Sequence, residues 1–428
     1  MFRYLFRWLL LAAVLALVTG STVALFLWAL DVVTALRFAN PALLLFLPVA
    51  GVLVTIAYIR AGRGVERGND LIIDAINAPG SAVPARLTPL VLIGTLVTHL
   101  CGGSAGREGT AVQMGGSLAS AIDRFVVARL RGVWPLSAAE RSVFLQAGIA
   151  AGFSAVFGTP IAGAIFALEV PRRGRLAHGA LIPCLLASLM ADQVTLAWGV
   201  QHTLYPTIGA RGAWLSLPLL LQVATAAVCF GLASRLFAVG THALSDALTR
   251  AIPSPWLRPV LGGAIVIALT QVLGTRDYLG LGVTSPDPDA VTILSSFHDE
   301  GADRWSWLLK SVFTAVTIGS GFKGGEVTPL FFIGAALGNT LAVVLQAPVE
   351  LFAALGFVAV FAGATNAPIA CTIMGLELFG IHAAPYFAVA SALAFLGSGR
   401  SGIYSAQRGR GHVDPAPSER PAAVSMYP

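Results

Sequence analysis

Residues 159–169 read TPIAGAIFALE, and residues 367–377 read APIACTIMGLE. Both segments have a proline near the start and a glutamate at the end, and these two residues are nine positions apart in each copy. A second pair of related stretches lies upstream, GREGTAVQMGG at 106–116 and GEVTPLFFIGA at 325–335. Two motifs that recur in the same order indicate an internal duplication of the chain.

The distance between the copies differs from one motif to the other. Thr110 and Pro329, which each precede a glycine by five positions, are 219 positions apart, whereas Pro160 and Pro368 are 208 apart. The halves therefore differ by an insertion or deletion of 11 residues between the two motifs. Spacing alone leaves open whether the repeats are parallel or inverted in a membrane.

The composition predicts a membrane protein. Hydrophobic residues make up 56% of the 428 residues and charged residues only 11%, against about 25% in an average soluble domain. Apolar stretches long enough to cross a bilayer recur along the chain, so an integral bundle surrounded by lipid is expected. The net charge of +6 is assigned to loops and the tail, because basic residues stand at segment ends without interleaved aromatic residues. Nucleic acid is therefore not expected as a partner.

The first apolar run, 8–30, follows Arg3 and Arg7. A cleaved signal peptide is the alternative, but the run exceeds the usual apolar core of about 7–15 residues, so a first membrane helix is predicted. Three arginines between positions 60 and 67 come after the next apolar run, 41–59. By the positive-inside rule this pattern predicts a multi-pass protein of the inner (plasma) membrane with both termini in the cytoplasm.

Glycine (46 residues) and proline (24 residues) interrupt the apolar sequence repeatedly. Four apolar segments are too short to span a membrane alone: 160–170, 327–337, 350–364 and 368–379. Short or broken helices have ends inside the membrane, where their free backbone groups must face protein or a hydrated cavity. Because the amino-terminal end of a helix is partially positive, such ends favour an anion.

Other kinds of site have little support in the sequence. The four cysteines stand alone in apolar or glycine-rich sequence, so reduced packing residues are expected, with no metal, cofactor or disulfide: Cys101, Cys184, Cys229 and Cys371. Ser104 lies in a formal G-x-S-x-G pattern at 102–106. An intramembrane enzyme remains the distant alternative, since a nucleophile elbow also needs a preceding strand and a partnered histidine. Residues 408–428 predict a disordered cytoplasmic tail.

Glu108 is the main functional candidate. It lies between glycines in GGSAGREGTAVQMGG (102–116), at the start of a membrane-like segment, where an unpaired charge is expensive. A salt bridge with Arg107, or a position at the membrane interface, is the structural alternative. A carboxyl group that competes with an anion when charged and withdraws when protonated provides what anion/proton exchange requires.

GGSAGREG resembles the motif G-x-x-G-[KR]-E-G-P of the CLC family of chloride channels and transporters. The resemblance implies that Glu108 is the gating glutamate and proton carrier. It also implies that Gly106, Arg107 and Gly109 contribute to anion binding. The final proline of the motif is Thr110 in this chain, as in the fluoride/proton antiporter branch of the family.

The family's second motif, G-x-F-x-P, corresponds to GEVTP at 325–329, and the fluoride branch has the same five residues. By resemblance, Glu326 handles the gate and the proton, and Thr328 also contacts the anion. A pairing of Glu326 with Lys323, three residues earlier, is the structural alternative.

Two further anion-binding residues are implied by resemblance. The motif G-S-G-x-P of chloride-selective members corresponds to 68–72 (GNDLI), so Asn69 replaces the central serine and offers two N–H donors. A helix cap formed by Asn69 and Asp70 is the alternative. Tyr404 resembles the late tyrosine that points at the central anion, and an interfacial anchor is its alternative.

Two departures from family patterns bear on the mechanism. Val170 follows Glu169 where chloride/proton antiporters have the second glutamate of an E-E pair, and the fluoride branch lacks that glutamate too. The phenylalanines that line the fluoride site in relatives should align near Ile72 and Ala75, where no phenylalanine occurs. The aromatic part of the site is therefore unassigned.

The resemblance implies an all-α, CLC-like integral membrane bundle of many short, tilted and broken helices in two inverted repeats. The transport domain would comprise residues 1–407, with repeats at about 10–200 and 214–407. The expected function is export of fluoride in exchange for protons by a homodimer that is not an enzyme. A chloride/proton antiporter or a passive anion channel of the same family is the alternative.

Overall fold

The computed structural model describes residues 2–78, 81–129, 136–209 and 216–408. These residues form fifteen α-helices and no extended strand. In chain order the helices are α1 Phe2–Ala39, α2 Leu47–Ala61, α3 Asn69–Asn77, α4 Leu87–Leu100, α5 Glu108–Arg129, α6 Ala138–Phe157, α7 Pro160–Glu169, α8 Leu181–Ala197, α9 Leu217–Ala251, α10 Leu257–Leu273, α11 Ser306–Gly319, α12 Val327–Leu345, α13 Val349–Thr365, α14 Pro368–Phe379 and α15 Ala384–Gly397. The predicted disordered tail lies outside the described residues, apart from Arg408.

Helix lengths agree in part with the sequence-based expectation. Five stretches of described helix are long and apolar enough to cross a membrane, and the first of them, Leu5–Ala39, contains the predicted run 8–30. The short helices α7, α13 and α14 match the predicted segments closely. The all-helical prediction is confirmed.

One predicted short segment is wrong. The stretch 327–337 belongs to α12, which continues to Leu345 and is long enough to span. Its glycines are contact points and not breaks: a Cβ atom on Gly334 or Gly338 would lie 2.1 Å from a carbonyl oxygen of α13. Glycine in a helix usually disfavours the helix, but here it permits a backbone approach that any side chain would prevent.

The same close crossing occurs in both halves of the chain. Gly115 of α5 meets Gly148 of α6, and Gly334 of α12 meets Gly356 of α13, with hypothetical Cβ atoms 2.0–2.4 Å from the facing carbonyl oxygens. Positions 115 and 334 are 219 apart and positions 148 and 356 are 208 apart, which are the two offsets found in the sequence. The 11-residue difference therefore falls between these crossings, where α5 and α6 (22 and 20 residues) are longer than α12 and α13 (19 and 17 residues) and the connection is longer as well.

At α7 and α14, a glutamate from each half of the chain accepts hydrogen bonds from backbone N–H groups of the other half. Glu169, the last residue of α7, accepts hydrogen bonds from the backbone N–H groups of Ile369 (3.2 Å) and Ala370 (2.9 Å) at the start of α14. Glu377 of α14 accepts the equivalent bonds from the N–H groups of Ile161 (2.9 Å) and Ala162 (2.8 Å) in α7. The helices are thus antiparallel and related by a local two-fold axis, which gives the repeats their inverted relation. Each carboxylate satisfies backbone donors that the helix itself leaves free.

Truncation of one of these carboxylates should destabilise the fold. We expect Glu377→Ala to lower the free energy of unfolding by on the order of 2–3 kcal/mol, because hydrogen bonds to charged groups contribute strongly and two helix N–H groups lose their partner. The measurement is the unfolding temperature of purified protein in detergent, followed by tryptophan fluorescence. Glu350→Ala, at an exposed position of α13, is the matched control. Equal unfolding temperatures for the two variants would show that the exchange of carboxylates does not stabilise the fold.

Candidate functional site

The site is built where the two glycine-rich loops of the repeats meet. The N–H of Gly106 donates to the carbonyl of Gly325 (2.5 Å), and the N–H of Gly325 donates to the carbonyl of Gly106 (2.8 Å), so the loops form a short antiparallel bridge. Helices α5 and α12 begin two residues after these glycines. A Cβ atom on Gly106 would lie 2.8 Å from the hydroxyl oxygen and 2.9 Å from the backbone nitrogen of Thr328. The bridge therefore brings the amino-terminal ends of two helices together.

Glu108, the first residue of α5, lies against the start of α12 and is 1% exposed. Its carboxylate accepts hydrogen bonds from the backbone N–H of Thr328 at 3.0 Å and from the Thr328 hydroxyl at 2.5 Å. The N–H of Arg107 contributes a longer bond of 3.3 Å to the same oxygen. The helix terminus thus holds a carboxylate in the position where it would hold a free anion.

Arg107 approaches the other oxygen of the Glu108 carboxylate, with Nε at 3.6 Å. The salt bridge considered as an alternative is therefore present, but it is longer than the two bonds from Thr328. Tyr205 lies close enough to Arg107 and Glu108 to interact electrostatically with both. The arginine side chain is 16% exposed as a whole, but its Nε atom is buried.

Asn69 and Glu326 lie on the other side of the loop bridge, next to Gly109. A Cβ atom on Gly109 would lie 3.3 Å from Nδ2 of Asn69 and 3.9 Å from a carboxylate oxygen of Glu326. Asn69 is the first residue of α3 and makes no side-chain cap to that helix, so the capping alternative is wrong. The side-chain amide oxygen of Asn69, Oδ1, is buried without a hydrogen-bond partner among the described residues.

Tyr404 is 6% exposed, and its hydroxyl has no hydrogen-bond partner in the described parts of the chain. Its burial excludes the interfacial anchor. The segment that carries it is fixed by the carboxylate of Asp70, which accepts hydrogen bonds from the Ser405 hydroxyl and from the N–H of Ala406. Asp70 thereby ties the first turn of α3 to the tyrosine.

A cavity of about 300 Å³ joins these groups, and Asn69, Glu326 and Tyr404 line it. Lys323 lines the same cavity but forms no ion pair with Glu326, because its ammonium group lies over the ring of Tyr58, 4.3 Å from the centroid. The pairing considered for Glu326 and Lys323 is therefore wrong.

The structure adds Gln113 to the site residues. It lines the 300 Å³ cavity, and its amide would touch a Cβ atom on Gly68 at 3.0–3.1 Å. Gln113 lies four positions after Gly109 in α5, and helical spacing could have identified it, since residues four apart share a face. Glu108, Arg107 and Thr328 are thus in contact at the loop bridge, whereas Asn69, Glu326 and Tyr404 line the 300 Å³ cavity. Their roles in transport stay predictions.

Thr110 and Ser104 make local structural contacts. The hydroxyl of Thr110, which replaces the motif's proline, forms a 2.8 Å hydrogen bond with the hydroxyl of Thr95 and ties α5 to α4. The Ser104 hydroxyl pairs with that of Thr314 at 2.9 Å. His99, five positions before Ser104, is a buried packing residue.

The departures noted in the sequence have structural counterparts. Ile72 is buried and faces Gly116, where a Cβ atom would lie 2.8 Å from its side chain. The nearest large aromatic cluster to the start of α12 begins at Phe331, whose ring stacks on Phe357 with 4.0 Å between centroids. Val170 is buried, and its backbone carbonyl accepts a hydrogen bond from the side-chain amide of Gln407 (2.9 Å).

Known proteins match most of this chain in sequence. Residues 50–399 match the voltage gated chloride channel family. The chain is 48% identical over 411 residues to a chloride/fluoride channel protein of Pseudomonas syringae pv. tomato, which covers 95% of this chain and 87% of that protein. It is 26% identical over 398 residues to the H(+)/Cl(-) exchange transporter ClcA of Yersinia pseudotuberculosis, covering 86% of this chain and 80% of the other.

Two solved structures superpose on nearly the whole chain. A CLC-type fluoride/proton antiporter superposes with a TM-score of 0.88 at 34% identity, covering 96% of this chain and 99% of the other. A slow cyanobacterial Cl⁻/H⁺ antiporter superposes with a TM-score of 0.76 at 20% identity, covering 93% and 96% of the two chains. At 20% identity, the likeness to the cyanobacterial antiporter shows a shared fold alone.

The loop bridge should tolerate no side chain at position 106. We expect Gly106→Ala to destabilise the protein by about 1–3 kcal/mol, because the added Cβ atom would force Thr328 away from the loop. The measurement is again the unfolding temperature in detergent. Gly179→Ala is the control, since nothing lies within 4 Å of a Cβ atom there. A Gly106→Ala protein as stable as this control would mean that the contact is loose.

Proposed function

The chain belongs to the voltage gated chloride channel family, also called the CLC family, and from that premise we propose that it exports fluoride from the cytoplasm in exchange for protons. The observation that carries the proposal is the carboxylate of Glu108 on the backbone N–H and hydroxyl of Thr328. A carboxylate and a halide cannot occupy the same donors at once. Anion binding at the start of α12 therefore requires Glu108 to leave.

Protonation provides the reason for Glu108 to leave. A neutral carboxylic acid is a weaker hydrogen-bond acceptor than a carboxylate and gains little from the positive end of a helix. Uptake of a proton by Glu108 would thus free the Thr328 donors for an anion, and loss of the proton would return the carboxylate and expel the anion. One site used alternately by the two species couples their movements in opposite directions.

Strong hydrogen-bond donors around the site favour fluoride over chloride. Fluoride is small and strongly hydrated, so a site that strips its water must supply donors in return. The amide of Asn69, the hydroxyl of Tyr404 and the N–H and hydroxyl of Thr328 provide them, and the Tyr404 hydroxyl has no other partner among the described residues. The similarity to a fluoride/proton antiporter at 34% identity supports the same assignment.

The physical driving force follows from weak-acid chemistry. Hydrogen fluoride is neutral and crosses membranes, and it dissociates in the more alkaline cytoplasm, where the anion is trapped. An inward proton gradient can drive the trapped anion out through an exchanger. Glu108 carries the proton in this scheme and exchanges it near Glu326 and Thr328.

The location and assembly of the protein belong to the same proposal. The arginines at positions 3, 7 and 60–67 support cytoplasmic termini in an inner (plasma) membrane. A homodimer is supported by the exposed isoleucines Ile161 and Ile369, which stand beside the exchanged carboxylates of α7 and α14. Residues 1–407 would form one transport domain, with repeats at about 10–200 and 214–407, and lipid would cover the remaining apolar surface. The chain would act as a transporter and not as an enzyme.

Flux measurements in liposomes test the transport function. We expect fluoride efflux from loaded vesicles to drive proton uptake, with much weaker movement of chloride. Glu108→Gln should abolish the coupled proton uptake, because an amide cannot release a proton, while Glu350→Gln at an exposed site should behave as the native chain does. Fluoride-selective and pH electrodes read both fluxes at once.

Other outcomes of these measurements would overturn the proposal. Chloride that moves as readily as fluoride would identify a chloride-type exchanger. Fluoride that moves without protons in the native chain would identify a passive channel, as the name of the 48% identical relative suggests for that protein. Light scattering of the purified complex that gives the mass of one chain would contradict the homodimer.

A further inference from the structure

His242, near the end of α9, is the one residue that lines all three cavities found around the Tyr404 side of the site in the described part of the chain. The largest, of about 580 Å³, also touches Tyr404. The second is the 300 Å³ cavity of Asn69, Glu326 and Tyr404. The third, of about 90 Å³, is lined by both His242 and Glu326. His242 is itself exposed, so its imidazole faces both the cavities and the surrounding solvent.

The smallest cavity is suited to hold water. Its volume is enough for a few water molecules, each of which takes about 30 Å³ in the liquid. Its wall includes the polar residues Thr241 and Ser245 as well as Glu326 and His242. Water in this cavity would give a short path from the Glu326 carboxyl to the imidazole.

We propose that His242 is the residue that passes protons from Glu326 to the cytoplasm. This inference rests on the proposed exchange of fluoride for protons and extends it to the last step of the proton's route. Glu326 gives its proton to a water molecule in the small cavity, and that water gives a proton to the free nitrogen of the imidazole. The resulting imidazolium releases a proton to solvent and becomes neutral again, so each step breaks one bond to hydrogen and forms another.

Position and chemistry distinguish His242 from the other ionisable groups nearby. Asp246, one turn further along α9, lines only the largest of the three cavities and does not reach Glu326. Tyr404 borders the two larger cavities, but a phenol holds its proton too firmly for exchange near neutral pH. An imidazole both accepts and releases a proton in that range, which is why histidine is the common proton shuttle.

The charges around the imidazole come from several elements. They lie across the three cavities that His242 lines, and they are Asp246 of α9, Arg173 and Arg400 in the largest cavity, and Glu66, Arg67, Asp70, Lys323 and Glu326 in the second. Arg67 is one of the arginines that predict the cytoplasmic face, so the open side of these cavities faces the cytoplasm in the proposed topology. Acidic and basic groups are both present around the imidazole.

Replacement of the imidazole tests the inference. We expect His242→Gln to slow coupled fluoride/proton exchange in liposomes by on the order of tenfold, because a positioned proton shuttle is lost. Fluoride binding at a fixed pH, measured by titration calorimetry, should be unchanged. His178→Gln, at an exposed histidine that lines a separate cavity without Glu326, is the matched control and should leave the rate unchanged.

Two further variants separate a proton role from a structural one. His242→Ala should regain exchange when imidazole buffer is added, since a free base can enter the open cavity, whereas an equal concentration of a non-titrating solute should have no effect. Ser245→Ala, which removes a polar side chain from the wall of the smallest cavity but keeps the imidazole, should slow exchange as well. Unfolding temperatures equal to that of the native chain would establish that both variants are folded.

The outcomes distinguish this inference from the function on which it rests. Coupled exchange in the native chain with no slowing in His242→Gln or Ser245→Ala would overturn the role of His242 and leave the antiporter intact. Slowing of His242→Ala that imidazole does not relieve would also overturn it. Fluoride flux without protons in the native chain would remove the exchange itself and this step with it.

Discussion

Backbone donors at helix ends inside a membrane have no water to satisfy them, and this constraint governs the whole structure. The chain meets it with carboxylates supplied from the opposite repeat. Glu169 satisfies the start of α14, Glu377 satisfies the start of α7, and Glu108 satisfies the start of α12. The inverted duplication is thus stabilised by acidic side chains that cross between its halves.

The proposed function depends on a position at which the two repeats differ. Positions 108 and 327 are 219 apart and therefore equivalent, yet the first is glutamate and the second is valine. Glu169 and Glu377 each accept hydrogen bonds from two backbone N–H groups of the opposite repeat, whereas Glu108 accepts bonds from the N–H and the hydroxyl of Thr328 and a longer bond from the N–H of Arg107. The second repeat's acid, Glu326, stands one position earlier and lines a cavity. In the proposed mechanism, Glu108 exchanges with an anion while Glu169 and Glu377 maintain the fold.

Much of this could be predicted from the sequence, because motifs and membrane helices are local features. The duplication and the short helices α7 and α14 follow from patterns within short stretches, and Glu108 stands out as a carboxyl group between glycines. Asn69, Thr328 and Tyr404 are predicted only through the resemblance to family motifs. The extent of α12 could not be predicted. Sequence alone does not distinguish a glycine that breaks a helix from a glycine that lets a neighbouring backbone approach it. His242 carries no local signal at all. Its place beside Glu326 depends on the packing of α9 against α11, which no spacing along the chain encodes.

The glycine bridge between residues 106 and 325 has a consequence for the speed of the protein. Together with the carboxylates of α7 and α14, it fastens the two repeats to each other: the bridge joins backbone to backbone, and each carboxylate joins a side chain to backbone. Rocking of one repeat against the other, which many duplicated transporters use, would break these contacts. In the proposed exchange, alternation is then left to side chains, which reorient in picoseconds to nanoseconds when free, whereas domains move in microseconds to milliseconds. The arrival of a proton at Glu108 would then set the rate of exchange while the surrounding helices stay still.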